Sequence, residues 1–350
     1  MSATTSSTEI TASQSLPNPH KHVGLKRGLF AGVIIIAGLG CLGAIYQAVS
    51  ARADLRAYPP PGQFVDLGGR RIHMLVKGQQ NGKPTVLLES GIGTFSSNWA
   101  WVQDELAQST RVVAYDRAGL GWSDPSLEPQ DAQQSAQDLH AALQKAGIPG
   151  PYVIAGHSYG GLVVRAFTDL YPDEVVGMVL VDASHPDQWT RIPASRGGQT
   201  VATANRVTGW LVNLGIARLF NLSKASYDGL PDRQAAEMKA IMNNPKTWVT
   251  SSQVLSIWDA RTRPEIEQAR SLGDMPLVVL SVTDQPTSVA GVLTALQDEL
   301  PSLSTNSLHL TVEGATHESL VARREHALEV ASAIQQVIDA AESGKPLASQ

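Results

Sequence analysis

The residues Gly156-His157-Ser158-Tyr159-Gly160 follow the apolar run Tyr152 to Ala155, and a helical pattern from Leu162 to Tyr171 comes next. A serine on such a strand-to-helix turn lifts its hydroxyl away from the sheet. Glycine on either side leaves room for the neighbouring strand or helix. The free N–H groups of the first helical turn face whatever the serine attacks. A serine hydroxyl is a poor nucleophile at neutral pH. It needs a base within hydrogen-bond reach and a third group to orient that base. On an architecture of this kind the partners come in the chain order serine, acid, histidine.

The chain has nine histidines. His317 is the best-placed base, because it follows the strand pattern Leu308–Val312 through the loop Glu313–Thr316 and precedes the closing helix. His309 lies within that strand. His157 adjoins the serine, but strand alternation points it the opposite way. His326 is on a helix, and His20 and His22 are in the amino-terminal leader. Two aspartates compete for the acid. Asp182 ends the strand after the nucleophile helix, in Leu180-Val-Asp-Ala-Ser-His-Pro186; Asp284 follows the next strand, in Ser281-Val-Thr-Asp-Gln-Pro286. An aspartate at a strand end can also merely cap a turn. Motif position favours Asp182, with Asp284 as the alternative. An oxyanion needs two preorganised N–H donors. The backbone of Tyr159 is one candidate. Ile92 is the other, between Gly91 and Gly93 after the strand Thr85–Glu89.

The elements that must position these groups are readable. Phe64–Leu67 and Arg71–Val76, separated by Gly68-Gly69, form a hairpin pattern. Thr85–Glu89, Arg111–Tyr115, Tyr152–Ala155, Val175–Val181, Leu277–Leu280 and Leu308–Val312 read as strands. Asn98–Ala107, Ala132–Ala146 and Arg323–Ala341 read as helices. Continuous apolar strands alternating with helices predict a mostly parallel sheet covered on both faces. Ligands bind such sheets at the carboxyl ends of the strands, where Ile92, Ser158 and Asp182 all fall. Between about 186 and 273 the strand pattern lapses into helical segments carrying Trp210, Phe220, Trp248 and Trp258, which predicts a helical cap.

The amino-terminal end has a different character. Residues 1–27 are read as a disordered tail ending in Lys21, Lys26 and Arg27, and 28–50 as a transmembrane helix or signal-anchor. No charged residue lies between Arg27 and Arg52. About 20 apolar residues rising ~1.5 Å each cross a ~30 Å hydrocarbon core. The basic residues before the span favour a membrane-anchored, single-pass chain with its large domain extracytoplasmic. The alternative is secretion after cleavage near Ala51-Arg52-Ala53. Residues 51–62 are read as a linker stiffened by Pro59-Pro60-Pro61, 63–342 as the catalytic domain, and 343–350 as a flexible tail. The net charge of −5 and the absence of like-charge blocks give no sign of a nucleic-acid partner. The single cysteine, Cys41, excludes an intrachain disulfide and a cysteine-based metal site.

Three motifs, Tyr115-Asp-Arg-Ala-Gly-Leu-Gly-Trp-Ser-Asp124, Gly156-His-Ser-Tyr-Gly-Gly161 and Met178-Val-Leu-Val-Asp-Ala-Ser-His-Pro186, together resemble the α/β-hydrolase superfamily from about Gln63 to Ala341. Glu89-Ser-Gly-Ile-Gly93 stands where most relatives have His-Gly, and resembles a bacterial subgroup with an E-S-G-x-G signature. Around the base, Gly314-Ala-Thr-His317 replaces the usual Gly-x-Gly-His. The usual G-x-x-D after the penultimate strand lacks its glycine, which weakens Asp284. The resemblance implies a metal-independent serine hydrolase with Ser158 as nucleophile, His317 as base and Ile92 and Tyr159 as oxyanion donors. Some relatives, certain haloalkane dehalogenases among them, place their acid at the strand end matching Asp182. Those enzymes and the epoxide hydrolases use an aspartate nucleophile, so Ser158 argues against both reactions.

The expected function is hydrolysis of an ester, and in second place an amide, of a small, largely apolar substrate through an acyl-serine, with no cofactor. Acyl transfer or thioester cleavage on the same triad is the alternative within catalysis. A membrane-tethered, non-catalytic binding module on a hydrolase scaffold is the alternative of another class.

Overall fold

The computed structural model describes residues 19–347. Of the disordered tail expected at 1–27, residues 1–18 lie outside the described residues, as do the last three of the tail expected at 343–350, while residues 19–27 are helical. The chain opens with the long helix α1 (Pro19–Ala57), then runs β1 (Gln63–Asp66), β2 (Arg71–Lys77), β3 (Thr85–Glu89), α2 (Ala100–Leu106), β4 (Val112–Tyr115), α3 (Ala132–Lys145), β5 (Tyr152–His157), α4 (Gly160–Leu170) and β6 (Val175–Val181). An insertion follows with α5 (Gln188–Arg191), α6 (Gly198–Asn213), α7 (Ile216–Phe220), α8 (Asp232–Met242), α9 (Pro245–Ser256) and α10 (Arg263–Glu267). Then come β7 (Leu277–Val282), α11 (Ala290–Glu299), β8 (Ser307–Val312), α12 (Ser319–Ala322) and α13 (Arg324–Ser343).

The eight strands make one sheet in the order β1-β2-β4-β3-β5-β6-β7-β8. β1 and β2 pair antiparallel through the hairpin, with Gln63 opposite Met74, and β2 also meets β4 antiparallel. Every other pairing is parallel. The central strands are buried on both faces, as a parallel sheet requires. Along β5 the side chains alternate between two apolar layers. Ile154 packs with Leu139, Leu162 and Phe167 of α3 and α4. Val153 and Ala155 pack with Trp99, Ile334 and Val337 on the α2 and α13 side. The helical insertion between β6 and β7 is cap-like, and its Val254, Leu255 and Trp258 join the first of these layers.

Helix α1 runs further than the sequence pattern implies. It continues to Ala57, so the first seven residues of the expected linker are helical. Ala51, Ala53, Leu55 and Ala57 are good helix formers. The helix ends where Pro59-Pro60-Pro61 deny it further N–H donors and disfavour helical geometry in the residue before them. The stretch Leu29–Ala57 is long and apolar enough to cross a membrane by length and composition. At the other end α13 includes Ser343, and Gly344 at φ 65° closes it in the left-handed conformation that glycine accepts readily.

The turn between β5 and α4 depends on absent side chains. A Cβ on Gly156 would stand 2.5 Å from the carbonyl oxygen of Gly160. One on Gly160 would stand 2.5 Å from that of Glu89, and one on Gly161 would overlap Ala183. Gly160→Val should therefore destabilise the fold by about 1–3 kcal/mol, the usual cost of overpacking. Urea denaturation checks this: an unchanged midpoint would mean that β3 and α4 separate without cost.

Candidate active site

Ser158 sits at the apex of that turn with φ 55°, a left-handed conformation uncommon for a residue with a side chain. Three backbone bonds hold it there. The Ser158 N–H donates to Val181 (3.1 Å), and the Ser158 carbonyl accepts from Gly161 and Ser184 (both 2.9 Å). Asp182, immediately after β6, is also left-handed at φ 40°, and its N–H donates to Leu280 (2.7 Å). These constraints turn the Asp182 carboxylate toward the loop that follows β8. There the Nδ1 of His317 lies 2.5 Å from Asp182 Oδ2. Asp284, the other aspartate considered, lines the cavity shared by Ser158, Asp182 and His317, and its own N–H donates to the Ala315 carbonyl (3.1 Å). The carboxylate that meets the His317 ring is that of Asp182.

Burial works against a charge on His317. The hydrogen bond and negative charge of Asp182 outweigh it, Glu318 adds to them, and the imidazole is held above its ordinary pKa. His157 is the opposite case. Burial, with the neighbouring His317 adding, pushes its pKa down to about 3. It is thus a neutral ring, and its Nε2 donates to the His317 carbonyl at 3.0 Å. Strand alternation predicts that His157 points away from Ser158. Its ring nonetheless packs beside the His317 ring, with centroids 4.6 Å apart, and edge-on to Trp99 at 6.4 Å. The residue next to the serine therefore fixes the backbone of the candidate base.

A second group that sequence reasoning left without a role lies beneath the loop carrying Ile92. Glu89 ends β3 and is buried. Its carboxylate accepts from the Tyr115 hydroxyl and from Arg117 Nη1. The Arg117 guanidinium then grips the loop itself, donating to the carbonyls of Ser90 and Gly91, the latter at 2.6 Å. In a planar trans peptide the carbonyl and the next N–H point in opposite directions. Holding the Gly91 carbonyl toward Arg117 therefore turns the Ile92 N–H to the other side. A Cβ on Gly91 would lie 3.1 Å from both Ser158 Cβ and His157 Nδ1, closer than an ordinary contact, so a side chain there would press on both. The signal for this brace was a glutamate ending an otherwise apolar strand. Its partner, in Asp116-Arg117-Ala118, could be identified only in three dimensions. Asp116 organises that second loop, accepting from the N–H groups of Ser96 and Trp122 and meeting His73 Nδ1, each at 2.9 Å.

Two cavities meet at these residues. One, of about 160 Å³, is lined by Gly91, Ile92, Thr94, Asn98, His157, Ser158, Ser226, His317 and Glu318. The other, of about 260 Å³, reaches Ser158, Asp182 and His317 from the side of Ser184, Gln188, Asp284, Leu293 and Gln297. Among the described residues no cluster of histidine, cysteine and carboxylate side chains could hold a metal ion.

Removing one partner of a buried ion pair strands the other charge, at a cost of about 3–5 kcal/mol. Arg117→Met should therefore lower unfolding stability by about that amount, read from denaturant titration. A loss below ~1 kcal/mol would show that Glu89 is neutralised without Arg117.

The chain matches the family model described as alpha/beta hydrolase fold over residues 84–322. Among curated relatives, it is 36% identical over 136 residues to a protein named as a probable transporter from Hormonema carpetanum, covering 37% of this chain and 20% of that one. It is 35% identical over 119 residues to a dihydrolipoyllysine-residue acetyltransferase component of an acetoin cleaving system from Cupriavidus necator, covering 34% of this chain and 31% of that one. The chain thus spans less than half the length of these curated relatives. Among solved structures, a thermophilic esterase from Thermogutta terrifontis superposes with a TM-score of 0.60 at 19% identity, over 80% of this chain and 99% of that one. With the match to the family model extending from β3 to α12, the chain belongs to the alpha/beta hydrolase fold family.

Proposed function

We propose that the protein is a serine hydrolase that cleaves an ester, and less readily an amide, of a small substrate through an acyl-serine intermediate. The observation that carries this reading is the contact of His317 Nδ1 with Asp182 Oδ2 at 2.5 Å, in a cavity that also contains the strained Ser158. With Nδ1 engaged, His317 has Nε2 left to act as base. It takes the Ser158 proton as Oγ attacks the substrate carbonyl, and Asp182 stabilises the imidazolium that forms. The N–H groups of Tyr159 and Ile92 receive the oxyanion. The imidazolium then returns its proton to the departing alcohol. A water molecule, deprotonated by His317, releases the acid and frees Ser158. Cavities on both sides of Ser158 suit a substrate whose acyl and alcohol parts lie apart. In this reading Glu89-Ser-Gly-Ile-Gly93 is the oxyanion-loop signature of the subgroup named above, and Asp284 lines the site without serving as the acid.

We also infer a single-pass anchor in α1, with the basic Arg27 on the cytoplasmic side and the catalytic domain outside. The domain proper then begins near residue 63, its cap spanning about 186–273.

Ser158→Ala should abolish turnover of para-nitrophenyl esters and labelling by a fluorophosphonate probe; activity surviving the substitution would overturn the assignment. Since Asp182 holds His317 above its ordinary pKa, the base acquires its proton at higher pH than a free histidine. The acid limb of kcat/KM for a neutral ester should accordingly lie above about 6.5. Asp182→Asn should move that limb downward and lower kcat by about 10⁴. Asp284→Asn should leave the limb in place. A limb that followed Asp284 instead would transfer the acid role to it.

A further inference from the structure

The cap presents an exposed apolar surface on α6 and α7. Trp210 on α6 is 68% exposed, and Leu219 and Phe220 on α7 are 73% and 67% exposed. Val207, Leu214 and Leu222 extend this surface. Val207, Trp210 and Leu214 fall three and four positions apart, on one helical face. Between Asp187 and Asp228 the chain has no acidic residue; of its basic residues there, Arg191, Arg218 and Lys224 pair with Glu299, Asp54 and Asp228, while Arg196 and Arg206 stand exposed beside the apolar surface. An apolar surface flanked by the exposed Arg196 and Arg206 complements an anionic lipid surface.

Its position relative to α1 specifies the occupant. The Leu214 carbonyl abuts Gly43, where any side chain would overlap it, and Leu214 Cδ2 would lie 3.9 Å from a Cβ on Gly40. Among the described residues, polar contacts between α1 and the cap begin further along the helix. Gln47 donates to the Asn243 carbonyl (2.5 Å) and accepts from Arg218 (3.1 Å), and Asp54 pairs with Arg218 (2.6 Å). Counted from Leu29, about 20 residues of α1 reach ~30 Å and end near Ala48. Gly43 then lies about 7–8 Å inside the far boundary of the hydrocarbon, the depth at which interfacial helices bury their apolar faces. The helix on which the cap is docked thus carries Leu214 and its neighbours down to lipid level. The same segment leads to the site: four positions beyond Leu222, Ser226 lines the cavity containing Ser158 and His317.

We propose that Val207, Trp210, Leu214, Leu219, Phe220 and Leu222 form a bilayer-docking face of the cap, and that the substrate is an amphiphilic ester drawn from the leaflet in which this face sits. The docking half rests on the anchor reading of α1, and the substrate half on the hydrolase reading.

The test reconstitutes the full chain into vesicles of phosphatidylcholine and phosphatidylglycerol, with dibrominated phosphatidylcholine as the depth-dependent quencher. The protein should float with the vesicles, and Trp210 emission, isolated by difference from Trp210→Phe, should be quenched. Flotation without Trp210-dependent quenching would overturn the docking face while leaving the anchor. Failure to float would overturn both. Loss of quenching together with a mass shift between wild type and the variant Leu219→Ser/Phe220→Ser/Leu222→Ser would assign the face to a second copy of the chain and overturn the proposal.

The second arm compares hydrolysis of a vesicle-embedded long-chain ester with that of a water-soluble short-chain ester. The triple variant should lose roughly tenfold on the first and keep its rate on the second. Equal rates of wild type and variant on the embedded ester, or equal losses on both, would overturn the substrate half. A chain inert toward both esters would overturn the hydrolase reading and the substrate half with it, while quenching would still decide the docking.

Discussion

The structure turns on how closely backbones approach one another at one bend. β5 must stop and α4 must start within a few residues, beside the end of β3, and the space left there is too small for a Cβ at Gly156, Gly160 or Gly161. That crowding is what keeps Ser158 left-handed. Strain of this kind persists only where the surroundings over-determine it. Here the bonds to Val181, Gly161 and Ser184 do so, and the first and last of these tie the bend to the strand that delivers Asp182. The serine, the aspartate and the glycine-rich loop after β3 are therefore placed by one packing problem solved in common.

Beneath them lies a polar layer that an apolar core would not need. Glu89, Tyr115 and Arg117 are buried at the ends of adjacent strands, the last two both bonded to the Glu89 carboxylate. Burying such charges is expensive, and replacing them with apolar groups often stabilises a protein. What the arrangement supplies is a fixed direction for two loop carbonyls and, through peptide planarity, for the N–H that follows. His157 acts similarly on the other side: a ring kept neutral by burial donates to the backbone of His317. Both are positioning devices: the Glu89–Arg117 pair lies beneath the loop, and His157 borders the smaller cavity itself.

Much of this architecture was readable from local pattern. Buried parallel strands are continuous apolar runs, and Tyr152–Ala155, Val175–Val181 and Leu277–Leu280 are such runs. Polar motifs at their ends locate the cleft, because the topology sends all these ends to one edge. Periodicity does not encode contacts between distant segments. Two aspartates at equivalent strand ends look alike until the loops are placed, and Asp182 meets His317 across 135 positions. The partner of Glu89 was hidden for the same reason. The contact of His157 with His317 is not legible in the sequence either, because alternation gives the direction of a side chain and not its reach. The extension of α1 to Ala57 was masked by Arg52, Asp54 and Arg56, which end the apolar run without ending the helix.

The final turn of α1 touches both halves of the domain. Asp54 is paired with Arg218 of the cap, while the Tyr58 carbonyl just beyond the helix accepts from the Trp122 indole of the core, and Arg233 of the cap lies 5.4 Å above the Tyr58 ring. The cap and the core therefore share one support, and it is the end of the apolar helix. Any load carried by that helix is therefore delivered to the insertion and to the core through the same few contacts.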